Sequence, residues 1–293
     1  HELAHHQLWT LSGGDYLVAR RVLELLAGQG TSVSPVWTTR LYQLTTEVCA
    51  DRAGVAVAGA EAGVRLLMKA RTGLKSVSAA DFLAQSRELH AALGCGSRDW
   101  SHPEAHLRAL ALDWYGERGV ACDDDLRGLL EGPLQLDELD GLRREDLSAL
   151  TRRLVDALLS PRWMRTDATL GHARLFFDDY EAPDRGTPAD AARALTAADL
   201  AIWGDSVRDY LVAVLLDFSV ADPTLEDLPL LHAHRWAAAL GLGDALEEAL
   251  HSKLKRTKKA IAASLRERDA RLQAAEAEAE QRLERDRPAQ GEV

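Results

Sequence analysis

Residues 36–57 read VWTTRLYQLTTEVCADRAGVAV. Leu41, Leu44 and Val48 recur at the spacing of one helix face, so the segment is predicted to be a single long helix. The same period extends outward in both directions. Tyr16, Leu17, Ala19, Val22, Leu23 and Leu26 mark a helix that stops at Gly28-Gln29-Gly30. Two more helices are expected over 60–70 and 79–93, the second capped by Ser78. After an irregular stretch at 94–103, another runs over about 104–116. No segment shows the alternation of a strand. Ala and Leu are abundant, Ile is nearly absent and aromatic residues are 5%, a mixture that favours helices over pleated sheets. The predicted fold class is therefore all-α.

The region 121–142 is acidic and broken by Gly128, Gly132 and Pro133, which predicts a connecting stretch between two domains. Helices are expected again at 145–159, 161–177, 197–217 and about 225–240, with a loop rich in Asp, Gly and Pro at 178–188. Residues 253–287 are almost wholly Lys, Arg, Glu, Gln and Ala, with five basic residues between Lys253 and Lys259. They predict an exposed, charged helix, with a thin seam through Leu254, Ile261, Leu265 and Leu272. The expected division is 1–120, 121–252 and 253–293.

Bulk properties exclude several classes. A formal charge of −11 argues against nucleic acid as a partner, because a phosphate backbone needs a clustered positive field. No apolar run is long enough to span a bilayer. Cys49, Cys95 and Cys122 form no CxxC pair and cannot all be bridged, which favours a reducing, cytoplasmic setting.

The chemistry concentrates in three places. His1-Glu2-Leu3-Ala4-His5-His6 opens the chain. On a helix, His1 and His5 share a face and can aim imidazole nitrogens at one metal ion, with Glu2 beside it as a general base. Such a short motif also suits a purification-tag remnant. Within the predicted helix 36–57, Glu47 and Asp51 are another i, i+4 pair. One carboxylate can complete a three-ligand zinc site while the other orients a ligating histidine through its far nitrogen; a solvated acidic face is the plainer reading. Third, Ser101-His102-Pro103 lies in a loop entering a helix, with Arg108 six residues after the histidine.

In this order and spacing, HELAHH, EVCADR and SHP resemble the M48 family of metallopeptidases, which includes the heat-shock membrane protease and the CAAX prenyl protease. The resemblance covers about residues 1–118. It implies a zinc-dependent metalloendopeptidase acting on protein or peptide substrates, with Zn2+ held by His1, His5 and Glu47. Glu2 becomes the catalytic base, Asp51 supports the zinc histidines, and His102 stabilises the transition state. Arg108 is given a supporting role in the cleft. The rival class is a non-catalytic helical scaffold or binding protein that acts through its C-terminal domain. Residues 214–240, with Asp217, Asp222, Glu226 and Asp227 near a helix–helix turn, resemble the tellurite-resistance TerB-type helical domain, whose acidic turn can bind a divalent cation. Helix capping by the same acids is the alternative. His232 and His234, two apart, make a poor metal pair.

A zinc helix that opens on its first ligand is expected to follow an upstream half. On that reading the chain is the C-terminal part of a longer protein, whose missing segment supplies a substrate-binding strand edge and any membrane association. Zinc binding and peptidase activity are then weak until that segment is restored, and an apolar patch including Trp9 and Leu41 is left bare.

Overall fold

The computed structural model describes residues 1–29, 33–94, 96–182 and 195–286, with only the backbone of Ser12, Leu283, Glu284 and Asp286. Every regular element among the described residues is helical, and the protein is all-α. It divides into two compact units, His1–Arg144 and Glu145–Val293.

The first unit contains α1 (Glu2–Thr10), α2 (Asp15–Gly28), α3 (Ser34–Ala58), α4 (Ala60–Thr72), α5 (Ala79–Leu93), α6 (Ala105–Arg118) and α7 (Asp123–Glu131). Pro35 sits in the first turn of α3, where its missing N–H costs nothing. Gly59 closes that helix in a conformation only glycine adopts freely. Ser78 caps α5 as expected, accepting from the backbone N–H of Asp81.

Leu44 and Val48 of α3 pack against Leu107, Leu110 and Ala111 of α6 and Leu126, Leu129 and Leu130 of α7. Leu44 is fully buried, and such a side chain contributes about 1.5–3 kcal/mol. A second cluster joins Val64, Ala79, Ala109 and Leu112 beneath α4, α5 and α6. The stretch 121–142, expected to be a connector after residue 120, instead contributes a core helix. Leu126, Leu129 and Leu130 form its apolar stripe, and Gly132 ends it with a positive φ. The boundary between the compact units lies after Arg144.

Apolar side chains are exposed on α1 and α2, including Leu3, Trp9, Val18, Val22 and Leu25; Leu41 is half-buried.

Helix α8 (Gly141–Leu158) starts before the boundary and leads, in the second unit, to α9 (Asp167–Phe176), α10 (Asp205–Val220), α11 (Leu228–Ala239), α12 (Gly243–Ser252), α13 (Lys258–Arg266) and α14 (Arg268–Asp286). Two expected helices are broken. The one over 161–177 is a short 3-10 turn followed by α9, because Thr166 forms a capping box with Thr169. The one over 197–217 separates into a 3-10 turn and α10. There the Arg208 guanidinium binds the carbonyls of Leu200 and Trp203, which an unbroken helix would use. Helix α12 went unread in the sequence. The charged tail is two helices, and it buries Ile261 and Leu272 rather than remaining wholly in solvent.

Gly30, Cys95, the part of the 178–188 loop from residue 183 onward, and Arg287 lie outside the described residues. Among the described residues, no helix is long and apolar enough to cross a membrane.

His232 is buried on α11. Its Nε2 lies 3.2 Å from the carbonyl of Ala157, and its Nδ1 lies 3.0 Å from Arg235 Nη2. An imidazole nitrogen that accepts from a guanidinium carries no proton, so His232 is neutral and donates through Nε2. Burial, reinforced by the Arg235 charge, lowers its pKa from 6.5 to about 4. Between these values the unfolded chain binds the extra proton, so stability falls as pH drops below about 6.5. Urea titrations should show this contribution shrinking by about 2–3 kcal/mol at pH 4.5 relative to pH 7. His232→Gln, which keeps a donor and an acceptor, should remove that part of the pH dependence. An unchanged profile in the variant would contradict the assignment.

Candidate metal centre

Helix α3 builds most of the centre. Arg40, Glu47 and Asp51 are all buried on it, and each has a separate task. The Glu47 carboxylate faces both histidines of α1: Oε2 is 3.5 Å from His1 Nε2, and Oε1 is 3.3 Å from His5 Nε2. The two imidazole Nε2 atoms are 3.1 Å apart. One ligand atom from each of His1, His5 and Glu47 can be chosen so that all lie within 4.8 Å of one another.

These separations fit a metal. Two ligands about 2.1 Å from a tetrahedral zinc stand about 3.4 Å apart. The second oxygen of Glu47 adds to the fit: it is buried and makes no hydrogen bond within the protein, its neighbours being His1 at 3.5 Å and Arg108 at 3.6 Å.

Asp51 lies one turn beyond Glu47 and grips the far nitrogen of His1, with Oδ1 2.9 Å from Nδ1. This contact fixes the tautomer that leaves Nε2 facing Glu47. Arg108 binds Asp51 through two bonds of 2.7 Å, Nε to Oδ2 and Nη2 to Oδ1. It thus supports the centre from behind Asp51 and is not among the residues lining the cleft.

Charge follows this wiring. The Asp51 hydrogen bond, then the Glu47 carboxylate beside the ring, raises the His1 pKa to about 9 against the opposing effect of burial. Burial pushes both carboxylates upward, but His1 with Arg108 and, for Glu47, His102 outweigh it and hold them below their ordinary values. Both carboxylates thus favour the protonated imidazole of His1, which a metal on Nε2 would have to displace.

His102 sits above Glu47, with its Nε2 3.5 Å from Oε1 and its Nδ1 2.8 Å from Ser101 Oγ. Its loop is strongly held. The buried Arg40 guanidinium donates to the carbonyls of Ser97 and Asp99, and Trp37 stacks on Trp100 at 5.5 Å. Backbone N–H groups of Gly96 and Ser97 bond to Leu129 and Leu130 of α7. Gly96 has φ +104°, and a Cβ there would lie 3.2 Å from the Cα of Gly132, so this close passage requires glycine.

A cavity of about 390 Å³ opens over the centre, lined by Glu2, His5, Glu47 and His102 together with a wall from α1, α2 and α3. The structure thus brings together His1, His5, Glu47, Asp51 and His102, with Glu2 on the same cavity. The wall residues Trp9, Tyr16, Arg20, Tyr42, Gln43 and Thr46 were not singled out as site residues by the sequence. Gln43 precedes Glu47 by four, so the shared face on α3 was a usable signal.

Two of the four acids near the α10–α11 turn have protein partners. Asp222 accepts from the N–H and hydroxyl of Thr224, and Asp227 pairs with Arg256 at 2.8 Å. His234 faces Glu247 and Arg268, away from the partners of His232. Among the described residues, His1, His5 and Glu47 are the potential metal-binding group.

Comparison with protein-family models, curated proteins and solved structures finds no match for this chain.

Proposed function

We propose that the protein is a zinc metallopeptidase of M48 type, with His1, His5 and Glu47 as ligands. The observation that carries this reading is the triangle of side chains in which His1 Nε2 and His5 Nε2 lie 3.1 Å apart and face separate Glu47 oxygens at 3.5 and 3.3 Å, backed by Asp51 on His1 Nδ1. A zinc ion held there supplies Lewis acidity and lowers the pKa of water. Glu2, on the cavity wall, takes the proton of the attacking water and delivers it to the leaving amine. His102 donates through Nε2 to the oxygen on which negative charge develops. Asp51 and Arg108 keep His1 oriented. Zinc content by atomic emission, measured together with hydrolysis of unfolded casein, tests the reading. Stoichiometric zinc and zinc-dependent cleavage support it, and a protein that takes up no zinc overturns it.

A second reading is favoured by the pairing of His1 with two carboxylates. The same side chains form an ion-pair network in which His1 bridges Asp51 and Glu47 while Arg108 neutralises both. Such a network suits a non-catalytic helical scaffold. Zinc uptake also separates these readings, because it must displace the His1 proton.

His102→Ala should leave zinc content unchanged and lower kcat by about 10²-fold or more, as for loss of an oxyanion donor. Zinc loss equal to that of a ligand variant would instead make His102 a ligand.

A further inference from the structure

Among the described residues, the cleft contains one cationic Lys or Arg side chain, which neither metal binding nor proton transfer uses. Arg20 of α2 is the single Lys or Arg lining the cavity. Its Nε donates to Glu24 Oε1 at 2.8 Å, and Glu24 also accepts from Arg21 Nη1 at 3.0 Å. Among the described residues, the two Nη groups of Arg20 make no hydrogen bond. Glu24 therefore anchors the stem of the guanidinium and leaves its outer edge open, the geometry that takes a carboxylate through two parallel bonds.

Contacts between the helices tie the Arg20 wall to the helix that carries Glu47. The Tyr16 hydroxyl meets the Thr46 hydroxyl, one residue before Glu47, and the Tyr42 hydroxyl donates to the Tyr16 carbonyl at 2.6 Å. Arg20 is one turn beyond Tyr16, about 6 Å along α2, and its charge acts on the Tyr42 hydroxyl. The same cavity wall carries Trp9 and the tilted rings of Tyr16 and Tyr42, whose centroids are 4.8 Å apart. The cavity, at about 390 Å³, is at the small end of ligand sites, about 300–1,000 Å³. A dianionic phosphate fits poorly, because Glu2 and Glu47 share the cavity with this one guanidinium.

We propose that Arg20 is a specificity residue that binds a substrate carboxylate in the cavity over the metal centre, with an apolar or aromatic residue packed against Trp9, Tyr16 and Tyr42. The word substrate rests on the peptidase reading; the carboxylate site rests on the cavity and can be tested without turnover.

Isothermal titration of the full chain, both zinc-loaded and chelator-treated, with three probes tests it. N-acetylphenylalanine offers a terminal carboxylate, N-acetylphenylalaninamide offers none, and the α-amide of N-acetylglutamate offers only a side-chain carboxylate. The wild type should bind at least one acid about tenfold or more tightly than the neutral amide, with or without zinc. Which acid binds decides whether the carboxylate is a chain terminus or an acidic side chain. Arg20→Leu should abolish the preference, and Arg20→Lys should retain part of it. Equal binding of all three probes, or a preference that survives Arg20→Leu, would overturn the proposal. An acid preference that disappears on chelation would also overturn it, because it would place the carboxylate on the metal. A chain that takes up no zinc but keeps the Arg20-dependent preference would sink the peptidase reading alone.

Discussion

Glu47→Ala should lose most bound zinc, whereas Glu2→Gln should retain it and lose about 10²–10⁴-fold in turnover. The two acids are two cavity-lining groups with different surroundings. Glu47 is buried between His1 and His5, and its second oxygen makes no hydrogen bond. Removing it opens the triangle and leaves two histidines, too few for a closed zinc site. Glu2 is exposed at the start of α1 and takes no part in the triangle, so the metal does not depend on it. Metal analysis of the dialysed variants, paired with casein turnover, measures both effects. Equal zinc loss in the two variants would overturn this division of roles.

Asp51→Asn should weaken zinc affinity by about 10–100-fold, the usual effect of losing the partner behind a ligating histidine. Asp51 accepts from His1 Nδ1 on one side and from Arg108 through both oxygens on the other. An amide cannot accept on both atoms. The variant therefore either loses an Arg108 bond or turns its NH2 toward an imidazole that must donate there to remain aligned. Competition titration with a zinc chelator reads the affinity. Arg108→Lys, which gives up the two-point grip, should shift it in the same direction by less. Unchanged affinity in Asp51→Asn would show that His1 is oriented by something else.

The part of the site carried by helical spacing was legible in the sequence. His1 with His5, and Glu47 with Asp51, are i, i+4 pairs, and each shared face follows from helix geometry alone. The approach of His102 to Glu47 came from the order of motifs, and it depends on contacts that no local pattern announces. Arg40 reaches from the same helix to the carbonyls of Ser97 and Asp99, and Gly96 lets the loop pass the end of α7. The cavity wall on α2 was hidden for a related reason: Tyr16 and Arg20 face the site only because of how α2 packs on α3.

The misread connector shows a different failure. Gly128, Gly132 and Pro133 dominated the reading of 121–142, although Leu126, Leu129 and Leu130 carried a core stripe. Gly128 lies within α7 and Gly132 ends it. Tertiary burial outweighed the modest helix penalty of one glycine, about 1 kcal/mol.

The central claim is that His1, His5 and Glu47 hold one zinc ion. Anomalous diffraction at the zinc edge, from crystals of the full chain grown with equimolar zinc, tests it most directly. The expected result is one peak about 2.0–2.2 Å from Nε2 of His1, Nε2 of His5 and a Glu47 carboxylate oxygen, with Asp51 still on His1 Nδ1. A zinc-exposed crystal with no peak there, the four side chains keeping the ion-pair arrangement, would contradict it.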